Sequence, residues 1–319
     1  MQWLIRAFVL ALSILPALAT AQAWPQKQIR FIIPYPPGGG ADVLARIIVQ
    51  KLSENLSQAV IVDNKPGGAT AIGTEIAAKA PPDGYTMLLA SPSFTNNAAL
   101  YPKLPYDPQK DFDAVTLAAT VAAILVVPPS LPVNNVEELI ALAKSQPGRL
   151  NYAMATGSTP HLAGEMLKSM GGIDVTAVPY KGMASAYPDL LGGRIHYMFD
   201  AVSTGLPHVQ AGKTKALGVS GPKRSHAAPN VPTLAETGLP GFEAEAYYGI
   251  VVPKGTPSDV IAKLNAETLK ALADPATAGK IRGAGFEIIA KGPADFAAYM
   301  RSEQSRWAKL IKEANIKPE

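Results

Sequence analysis

The chain has 319 residues, no cysteine, four histidines and a formal net charge of +4. Without thiols it can form neither disulfides nor thiolate metal sites, and its 29 Lys and Arg against 25 Asp and Glu gather in no basic cluster, which argues against a nucleic-acid surface. With 48% hydrophobic and 17% charged residues it has the composition of an ordinary globular protein, long enough for two domains with a sizeable core.

Met1 to Ala23 carries one early cation, Arg6, then an apolar run from Ala7 to Leu15, Pro16, and a string of small residues. This is the pattern of a secretory signal, with small-x-small cleavage sites after Ala21 and after Ala23. The apolar run is far shorter than the 20 or so residues that span a bilayer, and Pro16 would interrupt a buried helix. Export to the periplasm is therefore expected, leaving a mature chain of about 296 residues.

Beyond the leader, strand-like and helix-like runs alternate, which predicts an α/β protein with largely parallel sheets. Ile29 to Pro34 reads as a strand, followed by Tyr35-Pro-Pro-Gly-Gly-Gly-Ala-Asp42 and a helix over Ala41 to Leu56. Val60 to Asp63 is a strand, followed by Asn64 to Ala69 and a helix near Ile72 to Ala80. Tyr85 to Ala90 is a strand that ends in a polar loop over Ser91 to Asn97. The middle repeats this plan: a strand at Ile124 to Val127, then a helix over Val136 to Ser145 behind Asn134 and Asn135. Asn151 to Ala155 leads through Thr156 to His161 into a helix over Leu162 to Met170. Asp174 to Pro179 leads through Tyr180 to Gly182 into a helix over Ala184 to Leu191. Ile195 to Phe199 leads through Asp200 to Gly205 into a helix near Leu206 to Ala211, and Ala216 to Ser220 is the last strand of this half. After a Pro- and Gly-rich return over Gly221 to Phe242 come a strand at Gly249 to Val252, a helix at Pro257 to Leu272 and a strand at Phe286 to Ala290. A final helix over Ala294 to Ala314 has an apolar stripe of Phe296, Met300, Trp307, Leu310 and Ile311, and is expected to pack back on the first domain.

Each predicted strand ends in a loop rich in Gly, Ser, Thr or Asn. In open α/β sheets ligands bind beyond the carboxyl ends of the strands, where helix N-termini offer unpaired N–H groups and partial positive charge to an anion. Gly38, Gly39 and Gly40 permit close backbone approach, with Asp42 placed to brace the first helical turn. Gly67, Gly68, Ala69 and Thr70 form a second such turn, and Gly157, Ser158 and Thr159 a third, in the other half of the chain. Any one of these is an ordinary turn; their recurrence at equivalent positions in two halves points to a shared ligand.

Enzyme patterns do not hold. Gly212-Lys213-Thr214 lacks the earlier glycine of a phosphate loop, Gly38 to Gly40 is not a dinucleotide fingerprint, and Ser220 is not in a nucleophile elbow. Ser158, His161 and Asp200 could be set in a triad, but Ser158 and His161 sit three apart in one loop, which suits capping and ligand contact better. No histidine spacing suggests a metal site. No cofactor and no catalytic residue are expected.

The chain resembles, over its whole mature length, the Bug/TctC-type substrate-binding proteins of tripartite tricarboxylate transporters. The resemblance rests on ordered segments: Trp24-Pro25, Pro34 to Asp42 with Ala45-Arg46, Asp63 to Gly67, Pro82 to Thr86, Gly157 to Leu162 with Glu165, Val178 to Gly182, Asp189 to Arg194, Phe199-Asp200, and Pro232 to Glu236 with Gly238. It implies a two-lobe fold of the periplasmic-binding-protein type II kind, each lobe a mixed sheet flanked by helices. The expected lobes are 24–122 with 223–319, and 123–222, following a signal at 1–23. It also implies a ligand carboxylate held in the inter-lobe cleft by backbone amides, small hydroxyls and waters. The contacting loops carried over are Tyr35 with Gly38, Gly39, Gly40 and Asp42; Gly67, Gly68, Ala69 and Thr70; Ser91 and Ser93; Gly157, Ser158, Thr159 and His161; Tyr180, Lys181 and Gly182; and Phe199, Asp200 and Val202. This chain reads Gly67-Gly68-Ala69-Thr70 where the family commonly has Gly-Ala-Gly-Gly. Tyr35, Phe94 and Phe199 are the aromatics available to stack on an aromatic acid.

The resulting expectation is a monomeric periplasmic protein that captures a small organic carboxylate, a di- or tricarboxylate or an aromatic acid, for the membrane components of a tripartite transporter. A binding protein that signals ligand state to a membrane receptor is the alternative. Only Lys65 and Lys181 bring cations near the loops, so neutral donors should hold the anion. Closure should pivot on segments near Ala118 to Val126 and Ala216 to Pro222, with Gly38 to Gly40 and Gly157 to Thr159 meeting one carboxylate.

Overall fold

The computed structural model describes residues 24–313 and 316; the expected export signal at 1–23 lies outside the described residues. In chain order the first elements are β1 (Ile29–Ile33), α1 (Gly40–Leu56), β2 (Val60–Asn64), α2 (Ala71–Ala78), β3 (Thr86–Ala90), α3 (Pro92–Leu100) and β4 (Phe112–Val127). Then follow α4 (Val136–Ser145), β5 (Asn151–Met154), α5 (Thr159–Gly171), β6 (Thr176–Pro179), α6 (Tyr187–Leu191), β7 (Tyr197–Ala201), α7 (Val202–Gln210) and β8 (Lys215–Val219). The chain returns through β9 (Glu245–Pro253), α8 (Ser258–Ala273), α9 (Pro275–Gly283), β10 (Glu287–Lys291) and α10 (Pro293–Glu313).

The strand order is β2-β1-β3-β9-β4-β7-β5-β6, with β10 and β8 also paired to β4. The outer strands β2, β1 and β3 pair in parallel, as do β6, β5 and β7, as βαβ crossovers require. The centre is antiparallel. β4 pairs with β9 and β10 through Ala122 and with β7 and β8 from Ala123 onward, so one strand serves both lobes. The second crossing is tied at Ser220, whose N–H donates to the Ala123 carbonyl at 2.8 Å and whose hydroxyl donates to the Ala244 carbonyl.

The β4 strand begins twelve residues earlier than the Ile124 start expected from the sequence. It is buried on both faces over most of its length and built largely of Ala and Val, so the alternation that marks a half-exposed strand is absent. The segment Ser91 to Asn97, read as a loop, is helix α3: Pro92 occupies the first helical turn and Phe94, Asn96 and Asn97 are buried. Helix α7 likewise starts at Val202, inside the expected Asp200–Gly205 loop, where the Thr204 hydroxyl donates to Asp200 Oδ1 at 2.8 Å. Helix α9, unread in the sequence, is capped by Asp274 accepting from the Thr277 N–H.

Helix α10 joins both lobes. Phe296 and Met300 pack in a cluster with Phe94 and Tyr247, while Trp307 and Ile311 pack with Leu125, Phe199 and Phe242. Its C-terminal half therefore lies against the second lobe as well, because the apolar stripe runs past the point where β4 changes sheets.

Candidate functional site

A cavity of about 750 Å³ opens between the two sheets beyond the strand ends. Four helices begin on it: α1 behind Gly39, α3 behind Ser91, α5 behind Ser158 and α7 behind Ala201. None of these four leading residues caps its helix with a side chain, whereas α4 and α9, which do not reach the cavity, are capped by Asn135 and Asp274. Uncapped first-turn N–H groups and aligned helix dipoles thus converge on one space. The hydroxyls of Thr159, 3% exposed, and Ser203 are buried and make no hydrogen bond within the protein, although both residues line this cavity. Buried hydroxyls are almost always partnered, so two at one cavity mark a place for a polar ligand group.

Of the loops expected from the sequence, the structure brings together Tyr35 with Gly38, Gly39 and Gly40, Ser91, Ser158 with Thr159, Lys181 with Gly182, and Asp200. The Tyr35 hydroxyl lies 2.8 Å from Ser91 Oγ and donates to Ser93 Oγ at 3.0 Å, so Ser93 positions Tyr35 from behind and is itself fully buried. Asp42 is a brace: its carboxylate accepts from the Gly38 N–H, from Arg46 and from Asn64, at 2.9–3.0 Å. Burial alone would raise its pKa, but these donors outweigh it and hold the carboxyl below its ordinary value. Gly38 itself has φ +87°, a left-handed turn that glycine adopts without strain.

The remaining expected residues do not line the cavity. The Gly67, Gly68, Ala69 and Thr70 turn supports α3, the Ala69 carbonyl accepting from Asn97 Nδ2 at 2.6 Å. Ala69 and Thr70 adopt positive φ there, at +50° and +80°. Lys65, beside it, pairs with Asp63 at 3.1 Å. Gly157 backs onto Asn97, and its N–H donates to His161 Nδ1 at 3.2 Å, so His161 closes its own turn; burial pushes its pKa down. Tyr180 donates to Asp189 Oδ2 at 2.6 Å. Phe199 is fully buried and stacks on Phe242 at 5.9 Å, and Phe94 stacks on Tyr106, so of the three candidate stacking aromatics only Tyr35 reaches the cavity. Val202 is buried in the core.

Asp200 lines the cavity with its carboxyl engaged: Oδ2 accepts from the Tyr187 hydroxyl and Oδ1 from Thr204 and the Ala201 N–H, each at 2.8 Å. Burial pushes its pKa up despite these donors. Ser158 donates to the Ala155 carbonyl, so Ser158, His161 and Asp200 each serve separate local bonds and form no triad.

Sequence reading missed Ser203 and Thr204, Met183 to Ser185, Tyr187 and His208 in the second lobe, and Tyr248 on β9. Ser203 and Thr204 carry a usable signal, small hydroxyls in the Asp200 to Gly205 stretch after a strand, but the contacts that the family resemblance implies stop at Val202. Nothing local marks Tyr248.

Known proteins share both the sequence pattern and the fold. A family model described as the tripartite tricarboxylate transporter family receptor, TctC, matches residues 44–316. Protein BugT of Bordetella pertussis is 34% identical over 304 residues, covering 94% of this chain and 93% of BugT. Among solved structures, R. palustris Rpa4515 with adipate superposes with a TM-score of 0.90 at 36% identity, over 93% of this chain and 100% of that one. MatC from Rhodopseudomonas palustris with bound malate superposes at 0.85 with 30% identity, over 90% and 100%.

Proposed function

This chain belongs to the tripartite tricarboxylate transporter receptor family, and from that premise we propose that it captures a small organic carboxylate in the periplasm and delivers it, as the closed form, to the membrane components of a tripartite transporter. It is a solute-binding protein of the Bug/TctC type and not an enzyme. The observation that carries the carboxylate reading is the pairing of buried, unpartnered Thr159 and Ser203 hydroxyls with four uncapped helix N-termini in one cavity. The adipate and malate bound by Rpa4515 and MatC support the same ligand chemistry.

In this reading the lobes are 24–122 with 223–319, and 123–222. The partner exchange of β4 at Ala122 and Ala123 supports the division, and α10 lies across it. The anion contacts are the first-turn N–H groups, Thr159 and Ser203, with Tyr35, Gly38 to Gly40 and Ser91 shaping their surroundings. Thermal-shift measurement of the mature protein against mono-, di- and tricarboxylates tests the proposal. A carboxylate that binds only the folded state raises Tm by mass action; no shift with any carboxylate would overturn it.

Two variants sharpen the test. Thr159→Ala is expected to weaken binding about tenfold or more, since a hydrogen bond to a charged group is worth about 1.5–3 kcal/mol. Ser158→Ala instead removes an internal bond to Ala155 and should lower stability by about 0.5–1.5 kcal/mol with a smaller loss of affinity. Calorimetric titration of both separates these outcomes, and an equal loss of affinity in the two would contradict the assignment. Lys181→Met, which removes an exposed cation at the cavity wall, should cost less affinity than Thr159→Ala; a larger loss would mean that charge, and not neutral donors, holds the ligand.

A further inference from the structure

Tyr247 and Tyr248 are neighbours on β9, so their side chains leave opposite faces of the sheet. Both are buried, yet their hydroxyls fare differently. The Tyr247 hydroxyl lies 3.0 Å from Thr95 Oγ1 on α3, and its ring packs edge-on against Phe296 and Tyr299. The Tyr248 ring is held edge-on by Phe286 at 5.9 Å and lines the cavity, but its hydroxyl has no hydrogen-bond partner among the described residues. A buried polar group without a partner costs stability, so a fold that gained nothing from this oxygen would be better served by phenylalanine. Building on the carboxylate reading above, we infer that the Tyr248 hydroxyl is a direct ligand contact, which together with Ser203 holds an anionic group of the ligand between the two lobes.

Three elements meet at this oxygen. A Cβ built on Gly40, at the start of α1, would lie 3.6 Å from Tyr248 Oη and 3.0 Å from Ser203 Oγ, so the two hydroxyls flank one point at the α1 N-terminus. Ser203 stands in the first turn of α7, and its buried hydroxyl is also without a partner. Tyr248 comes from the other side, on a strand paired with β3 and β4. Burial pushes the Tyr248 pKa up, so the group stays a neutral O–H donor. An anionic oxygen placed between them takes one hydroxyl from each lobe, within the positive field of the α1 and α7 N-termini. Opening the cleft would part the two donors, so the ligand gains both bonds only in the closed arrangement, and its binding favours closure.

The test titrates single variants calorimetrically with whichever of adipate, malate, benzoate and citrate the unmodified mature protein binds most tightly. Tyr248→Phe keeps the ring and removes only the oxygen. Its affinity is expected to fall at least tenfold while its unliganded Tm holds or rises, because no internal bond is lost. Tyr247→Phe should give the opposite pattern: an unliganded Tm lower by about 2 °C, from the lost bond to Thr95, with affinity within twofold. In the double variant Tyr248→Phe with Ser203→Ala, the loss should differ at least threefold from the product of the two single losses, as for groups that share an acceptor. A loss below tenfold in Tyr248→Phe, a loss accompanied by a lower unliganded Tm, or an equal loss in Tyr247→Phe would overturn the inference and leave the carboxylate reading standing. Independent effects of Tyr248 and Ser203 would overturn the shared contact. Binding of none of the four acids by the unmodified protein would overturn both readings.

Discussion

Gly40→Val is expected to weaken ligand binding at least a hundredfold while leaving the protein folded. Gly40 is the first residue of α1 in the first lobe, and a Cβ built there would lie 3.0 Å from Ser203 Oγ and 3.2 Å from the Ala201 Cβ, both at the β7–α7 junction of the second lobe. The position of Tyr248 Oη at 3.6 Å closes the third side. A Cβ built on other glycines where the lobes touch would be similarly close: 2.8 Å from Val202 Cγ1 at Gly285, against Asn97 Oδ1 at Gly157, and 3.7 Å from Pro36 Cγ at Gly182. In the proposed binding mode this closeness lets the N-termini of α1 and α7 approach one anion, so a branched side chain at Gly40 is expected to prop the lobes apart and leave each with half a site. A hundredfold loss corresponds to about 2.7 kcal/mol, well within what overpacking a close contact costs. Titration calorimetry gives the affinity, and small-angle scattering should show no ligand-dependent contraction in the variant. Binding within threefold of the unmodified protein would show that closure does not depend on this contact. Gly39, one residue earlier, has no atom within 4 Å of its would-be Cβ, so a substitution there leaves the contact between the lobes untouched.

Phe199→Ala is expected to cost about 3–5 kcal/mol of folding stability, the usual range for truncating a fully buried phenylalanine. Phe199 lies on β7, between β4 and β5 at the centre of the second lobe's sheet, with its ring stacked on Phe242 in a cluster that also holds Leu125 and Trp307. Urea denaturation should show a lowered midpoint with the m-value unchanged. Below the transition, the folded fraction should bind ligand as before. A stable variant with lost affinity would return Phe199 to the role of ligand contact that its place in the loop motif suggested.

The two neighbours Phe199 and Asp200 show where sequence reading stops. Side chains alternate along a strand, so one of the two must face away from the cavity, but the motif alone does not say which. Pairing of Phe199 with Leu125 and of Asp200 with Ile124 sets the faces, and that register belongs to a strand about 75 residues earlier. The same holds for the loops. Gly38 to Gly40 and Gly67 to Thr70 are equally glycine-rich and equally placed after strands, yet only the first lines the cavity. The second is engaged by Asn97, a partner that becomes a helix residue only once α3 packs. Ser158 and Thr159 are adjacent hydroxyls, and only the return of Ser158 to the Ala155 carbonyl leaves Thr159 as the unpartnered one.

What the sequence determined by itself was the alternation of strands and helices, the family pattern and the kind of chemistry at the strand ends. These depend on local periodicity, turn residues and helix N-termini, all of which act over a few neighbouring residues. The tertiary structure alone decided which loops meet, how far β4 runs, and that Ser203 and Tyr248 line the cavity. Those outcomes depend on segments up to about 210 residues apart lying side by side, such as Gly40 beside Ala201, Ser203 and Tyr248, and no local pattern carries the register that brings them together.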